Sequence, residues 1–582
     1  MKYLSKPIVY EVSFSKEGIN KLKNISNFQI NNLLLQYPTV YIIYNSTNNI
    51  SVYVGETIDI QRRTIEHLDT DSSERLDWLS FSEKKGTKMI VIGHEHFNKS
   101  LTLDIENKMM LYLSGIKNIK HLNNRRTNPQ NKYFTFEERD PIFHQIWSKL
   151  NTIDNNIFPF EKEIKNSALF KASPFHKLTD EQINARDKIF NRVISTLNNP
   201  KKTQLVLVSG EAGAGKTVLL SSLFYELVNS IDSNGMPKKE KNQHLDAYLL
   251  VNHDQQLKVY RDIMFKLGIA NKDSDTVVKP THFINTHRDK KKVDLILVDE
   301  AHLLWTQGKQ SYTGHNQLYD LLNMAKVVIA VFDHHQILTT TGYWENLEYK
   351  KLVNFAKDNG TLITLHNQMR MQADSFTVNW INDFVHNHKV NPVPKNDTQG
   401  YKLKIFSNPD SMYQEIIYLS KNKSNGLTRL LATFDWPYID KKKPDNDDYW
   451  RVKIGNWSLP WNLQIQPNSK IQKRKNKYLA WAEQPQTINE VGSTFTIQGF
   501  DLNYAGVIIG PSVKYRNGKL IFDPKASCNK KATQKRTFAD KTKQNVAEEL
   551  LENELNVLMT RGVHGLYIYA VDSKLREKLL NS

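Results

Sequence analysis

Residues 210–217 read GEAGAGKT, preceded by the apolar run QLVLVS and followed by VLLSSLF. Few features constrain a fold more. A loop of small residues that closes a strand and opens a helix frees backbone N–H groups to wrap phosphate, at a terminus where the helix dipole already favours negative charge. Gly210, Gly213 and Gly215 permit the close approach, Lys216 reaches the β and γ phosphates of ATP, and the Thr217 hydroxyl suits Mg2+. The acidic strand that such a loop needs as a partner is DLILVDE at 294–300. It places Asp299 on the same metal and Glu300 where it can orient or deprotonate an attacking water. From 204 to 370, strand-like segments (QLVLVSG, AYLLVN, DLILVDE, VVIAVFD, TLITLHNQMR) alternate with helical ones, which predicts an α/β domain with a parallel sheet.

At 582 residues the chain exceeds one ordinary core, and a modular protein of three or four units is expected. Its 79 Lys+Arg against 61 Asp+Glu leave a formal charge of +18, favouring a polyanionic partner such as DNA or RNA. One cysteine, Cys528, excludes a disulfide framework and a multi-cysteine zinc site, as suits a reducing cytoplasm. The N-terminal MKYLSKPIVYEVSF carries no signal-peptide pattern, and Gln36 and Pro38 interrupt the apolar stretch Leu33 to Tyr44, so neither secretion nor a membrane span is expected.

Upstream, Val40–Ile43 and Ser51–Val54 are β-branched or aromatic and flank NSTNN, which predicts a hairpin. Helices are expected over Ile60–Leu68 and Leu101–Leu113, the latter with Ile105, Met109 and Tyr112 at helical spacing. Tyr41 and Tyr53 lie on the two strands, while Arg63 and His67 share one helical face, so four polar groups can converge. In the C-terminal half, the basic patches Lys470–Lys477 and Lys525–Lys543 read as exposed insertions. Tryptophans 436, 450, 457, 461 and 481 are candidates for base stacking, with core packing as the plainer role. His302, His334 and His335 adjoin the acidic motifs without metal-ligand spacing, and are expected to adjust hydrogen bonds.

The motifs around the glycine loop, in order, resemble a superfamily 1 helicase of the Schlafen-group-3-like type, over roughly residues 175 to 575. LTDEQINARDKIF at 178–190 resembles the adenine-recognition segment, which gives Gln182 the base-reading role. DEAHLLW at 299–305 resembles the second motif and VFDHHQIL at 331–338 the third, where Gln336 would sense the γ-phosphate. LHNQMR places Arg370 on the phosphates, with Gln368 beside it. ATFDWP at 432–437 and VGSTFTIQGFDLNYAGVIIGP at 491–511 resemble motifs of a second motor domain. There Gln498, Gly499 and Asp501 would couple ATP to nucleic acid, and NVLMTRG at 556–562 would supply Arg561 as a second arginine finger.

TVYIIYNSTNNISVYVGETIDIQRRTIEHL resembles the GIY-YIG nuclease family over about residues 36–135, with Thr39-Val40-Tyr41 and Tyr53-Val54-Gly55 as its two motifs. Thr39 replaces the first glycine, a departure that touches backbone geometry. The resemblance adds a metal-binding Glu106 and an asparagine at Asn123 or Asn124. It implies phosphodiester hydrolysis with one divalent ion on Glu106, Tyr41 accepting the water's proton with help from Tyr53 or His67, and Arg63 stabilising the pentavalent charge. A phenol has an ordinary pKa near 10, so Arg62 and Arg63 would have to lower it.

The expected architecture is α/β: a small α+β GIY-YIG-like nuclease domain (1–135), a linker (136–174), and two RecA-like parallel-sheet motor domains (175–370, and 371–582 with insertions). The expected function is that of a nuclease–helicase using ATP and Mg2+ or Mn2+ on nucleic acid, DNA above RNA, in defence against foreign DNA or in repair. The alternative is an ATP-dependent remodeller or sensor whose N-terminal domain only grips nucleic acid. The oligomeric state is open.

Overall fold

The computed structural model describes residues 5–46, 49–72, 76–84, 86–123, 132–165, 167–199, 203–210, 213–238, 244–271, 274–309, 311–366, 368, 370–422, 425–467, 469–476 and 479–582. Asn124, Glu211, Ala212 and Lys477 lie outside them. The chain divides into two compact units: residues 1–178 with 221–230 and 259–277, and the remainder.

The first unit is built on a five-stranded sheet of β1 (Ile8–Ser13), β2 (Thr39–Asn45), β3 (Ile50–Thr57), β4 (Lys88–Gly93) and β5 (Ile119–Asn123), in the order β1-β4-β2-β3-β5. β2 and β3 form the expected antiparallel hairpin, with Tyr41 opposite Gly55, while β3 and β5 run parallel with Tyr53 in register with Asn123. Side chains on a strand alternate between faces. Val40, Ile42 and Tyr44 accordingly enter one core and Tyr41 and Ile43 another, so both faces of this sheet are covered. The Lys99–Ser114 helix starts at Asn98, whose side chain accepts from the Leu101 N–H, and buries Leu101, Ile105, Met109 and Leu113. Its far end meets Lys266, whose Nζ donates to the carbonyls of Ser114 (3.2 Å) and Ile116 (2.9 Å). A cation suits a helix C-terminus, yet burial here pulls the ammonium down to about 8. Within 136–174, the Arg139–Ile153 helix buries Ile142, Phe143, Ile146, Trp147 and Leu150 in the same core as Val40 and Ile105.

The second unit holds two parallel sheets. In the first, β6 (Gln204–Gly210), β7 (Ala247–Val251), β8 (Val293–Asp299), β9 (Ala325–Phe332) and β10 (Leu362–Leu365) pair in the order β10-β6-β9-β8-β7. The chain leaves β6 between β9 and β10, strands that come much later in sequence. In such sheets ligands gather at the carboxyl ends of the strands where the order switches, and Gly210, Asp299 and Asp333 all lie at such ends. The second sheet, β11 (Lys402–Ile405), β12 (Thr428–Ala432), β13 (Val491–Gly492), β14 (Leu502–Ile509) and β15 (Gly562–Ala570), runs β11-β15-β14-β12-β13 and is also parallel. Among the described residues, three two-stranded antiparallel hairpins are inserted in this half of the chain.

One expectation needs correction. The Lys525–Lys543 patch is not merely an exposed insertion: Asn529, Ala532 and Arg536 are buried, and Arg536 donates to the carbonyls of Thr340 and Thr306. Core packing, the plainer role expected for the tryptophans, holds for Trp461 and Trp481, which are wholly buried, and for Trp436, which is nearly so and donates to the Lys453 carbonyl at 3.0 Å. No helix among the described residues is long and apolar enough to cross a membrane.

Candidate functional sites

In the second unit the glycine loop takes backbone angles only glycine tolerates well: φ is +93° at Gly213 and +72° at Gly215. A Cβ on Gly213 would also lie 2.6 Å from the Cβ of Arg370. Lys216 Nζ donates to the Gly210 carbonyl (2.6 Å) and to Asp333 (3.1 Å). The Thr217 hydroxyl lies 3.3 Å from Asp299 Oδ2, so both oxygens can face one cation. Asp333 is almost wholly buried; burial pushes its carboxyl up, but Lys216 and His302 outweigh this and hold it at about 2. Gln336 Nε2 donates to Asp333 (2.6 Å), and Arg561 Nη2 donates to Gln336 Oε1 (3.1 Å). One line of side chains thus runs from Lys216 through Asp333 and Gln336 to Arg561.

Arg561 is fully buried, and its other donors reach the carbonyls of Val557 and Phe500. Burial, and then the neighbouring charge of Arg370, pull the guanidinium down to about 9. Arg370 pairs with Asp501 at 2.6 Å, and its Nη1 is buried with no hydrogen-bond partner among the described residues. Gln182 closes a capping box with Thr179 and donates to the carbonyls of Ala214 (3.4 Å) and Gly215 (3.3 Å), which ties it to the glycine loop. Gln368 accepts from the Met371 N–H at 2.9 Å.

Glu300 sits in the left-handed region at φ +50°, a conformation that costs a non-glycine residue about 1–3 kcal/mol and recurs at functional sites. Its carboxylate meets His302 Nε2 (3.2 Å) and Gln256 Nε2 (3.4 Å). Burial pushes Glu300 up, but His302, Lys216 and Arg561 together hold it below the usual carboxylate range. Gln498 donates to the Gln336 carbonyl at 3.4 Å and approaches His302 at 3.5 Å. Gly499, at φ +81°, packs so closely on Gln256 that a Cβ there would lie 2.8 Å from the Gln256 amide carbon. Gln256 links the acid of one sheet to the loop of the other, and sequence reasoning missed it because nothing local marks it.

In the first unit Tyr41 is buried, and its hydroxyl hydrogen-bonds His67 Nε2 at 2.7 Å. Tyr53 packs 5.9 Å from the Tyr41 ring. Gly55 makes room: a Cβ there would lie 2.5 Å from the Tyr41 hydroxyl. Arg63 pairs with Glu66 at 3.0 Å and acts electrostatically on both phenols. Glu106 is buried on the Lys99–Ser114 helix, and its charge raises the Tyr53 phenol. Asn123 is in register with Tyr53, while Asn124 lies outside the described residues. Thr39 lies in extended backbone within the hairpin, outside the left-handed region, so this position makes no demand for glycine.

The phenols do not behave as their basic neighbours suggested. Burial, then the charge of Tyr53, raise Tyr41 well above its ordinary pKa, and Arg63 offsets this only in part. Tyr53 is raised by burial too. Arg62 turns to Glu66 instead. A buried Tyr41 is a poor base unless something accepts its own proton. Among the described residues no three His, Cys, Asp or Glu side chains are grouped so as to hold a metal ion.

Known proteins match both units. The Schlafen group 3, DNA/RNA helicase domain matches residues 203–572, well over half of the chain, and the GIY-YIG catalytic domain matches residues 37–111. The uncharacterized protein YPL245W of Saccharomyces cerevisiae is 32% identical over 438 residues, which span 69% of this chain and 90% of that protein. A solved structure of the PRRSV helicase aligns with 66% of this chain at 11% identity and a TM-score of 0.29, and the match spans 55% of that helicase. The chain belongs to the Schlafen group 3 DNA/RNA helicase family and carries a GIY-YIG catalytic domain before its helicase domain.

Proposed function

We propose that this protein is a nuclease–helicase: an ATP-driven translocase on nucleic acid, DNA in preference to RNA, joined to an endonuclease dependent on Mg2+ or Mn2+. The observation that carries this reading is the line Lys216–Asp333–Gln336–Arg561, which draws two parallel sheets onto one glycine loop. Phosphoryl transfer leaves a protein little covalent work, so positioned charge supplies most of the rate. Lys216, Arg370 and Arg561 provide that charge, and Gly213 and Gly215, both at positive φ, shape the loop on which Lys216 stands. Thr217 and Asp299 would hold the magnesium, which screens the phosphate oxygens when bound. Glu300 would orient the attacking water, and Gln182, tied to the glycine loop through Ala214 and Gly215, would read the base.

In the nuclease centre Glu106 would hold the divalent ion, which screens the scissile phosphate and the leaving oxygen. Tyr41 takes the water's proton, Arg63 neutralises the developing charge, and Tyr53 and Asn123 flank them. The +18 formal charge supplies salt-sensitive backbone affinity without base readout, so cutting is governed by structure more than by sequence. Such a pairing suits the removal of invading DNA, or repair.

Three variants and two assays test the reading. Glu106→Ala and Arg63→Ala are expected to lower cleavage of branched or plasmid DNA about 100-fold or more, the scale of losing one group that stabilises transition-state charge. ATP hydrolysis should be retained in both. Cleavage that persists in both variants would remove the assignment of Glu106 and Arg63 to the site, and no cleavage by the wild type would leave a domain that only grips nucleic acid. Gly55→Ala is expected to displace the Tyr41 ring, to cost about 1–3 kcal/mol by overpacking, and to lose cleavage while ATP turnover continues. Stimulation of hydrolysis by single-stranded DNA above RNA is expected, and stimulation by neither would sink the helicase reading.

A further inference from the structure

We propose that Asp71 is a positioning residue of the nuclease centre: it holds His67 with Nδ1 protonated, leaving Nε2 to take the hydroxyl proton of Tyr41. The inference rests on the nuclease reading above, and it answers the difficulty that burial creates for Tyr41. His67 Nδ1 lies 2.6 Å from Asp71 Oδ2 while His67 Nε2 lies 2.7 Å from the Tyr41 hydroxyl, so the imidazole bridges carboxylate and phenol through its two nitrogens. An ionised carboxylate only accepts, so the nitrogen facing it carries the proton and the opposite nitrogen is left as the acceptor.

The local backbone is built for this contact. The Ile60–Glu66 α-helix widens into a π-helix over His67–Asp71, and π-turns of this kind concentrate at functional sites. His67 is fully buried, its ring stacked on Trp78 at 3.6 Å and 15°, with the Tyr53 ring edge-on at 5.5 Å. Packing therefore fixes the ring plane, and Asp71 fixes the tautomer. Arg63 lies 3.9 Å from the same Asp71 oxygen and pairs with Glu66, and the charge of Glu106 reaches the neighbouring Tyr53. Arg63 also acts on both phenols.

The proton inventory closes. Attack breaks a water O–H bond and forms an O–P bond; the water's proton passes to the Tyr41 oxygen as the phenol's own proton moves to His67 Nε2. The P–O bond to the leaving alkoxide breaks, and the alkoxide takes a proton from solvent. The imidazolium left behind faces the Asp71 carboxylate, then returns its proton to solvent through Tyr41. This is the arrangement that makes a buried phenol usable at neutral pH.

The test uses the full chain, Mg2+ and a branched DNA substrate. Asp71→Ala and Asp71→Asn are each expected to lower kcat about 10- to 100-fold, the range for groups that orient a catalytic ligand from behind, with KM unchanged. Asp71→Ala placed on His67→Ala should cost nothing further, because residues acting through one another are not additive. In protein labelled with 15N-histidine, His67 should show the Nδ1–H tautomer, and Asp71→Ala should lose it. Wild-type kcat in Asp71→Ala, an additional loss in the double variant, or an unchanged tautomer would each overturn the proposal. If the wild type itself cleaves nothing, the nuclease reading fails, and the tautomer measurement alone decides whether Asp71 holds His67.

Discussion

Lys216→Ala is expected to lower the kcat for ATP hydrolysis about 1000-fold or more, the upper scale for removing one preorganised charge from a water-excluded phosphate site. Lys216 is nearly buried and held by the Gly210 carbonyl and Asp333, so its ammonium is already aimed and loses little freedom when phosphates arrive. Deleting it also strips Asp333 of its chief counter-charge. A buried carboxylate without its cation is expensive, so Asp333 should pick up a proton in the variant and loosen its hold on Gln336. Turnover at saturating ATP checks the first point. Nuclease activity without ATP should be unchanged, which separates a lost site from a lost fold.

Arg561→Ala is expected to cost about 1000- to 100,000-fold in kcat, the range for arginine fingers, with a smaller change in KM. The side chain is fully buried, and its donors meet the backbone carbonyls of Val557 and Phe500 and the Gln336 amide oxygen. Burial and Arg370 disfavour its charge, a cost that an arriving γ-phosphate would relieve. Arg561→Lys keeps the charge but cannot reproduce the fork that reaches Val557, Phe500 and Gln336 together. It should recover only a small part of the rate. Because removal leaves Gln336 Oε1 unpaired, thermal unfolding belongs beside the kinetics; a large loss of kcat with little change in melting assigns the effect to chemistry.

Much of this was legible in the sequence because it is written locally. Turn residues, β-branched runs and glycine spacing specify strand, loop and helix, so the hairpin of Tyr41 and Tyr53, the parallel α/β segments and the glycine loop all appear where short-range pattern places them. What escaped depends on tertiary burial. Arg62 and Arg63 were visible next to the tyrosines, but the burial that overrides them was not, and it reverses the direction of the phenol shift. Arg536 sits in a run of lysines that reads as solvated, yet its guanidinium satisfies two carbonyls of the first motor sheet's loops. Gln256 reaches Glu300 and Gly499 only once two sheets have come together. Asp71 stands at helical spacing from His67, but the π-turn that brings them into contact leaves no mark in composition. Asn123, left open against Asn124 in the sequence, shares the Tyr53 register through the β3–β5 pairing.

The link between motor and nuclease is tested most directly by one rate: cleavage of a branched DNA in Mg2+ by the wild-type chain, with and without ATP, beside Lys216→Ala. Cleavage that requires Glu106, rises several-fold with ATP in the wild type and stays at the ATP-free rate in Lys216→Ala is the expected result. Equal cleavage with and without ATP in the wild type would contradict a motor that delivers substrate to the cutting site.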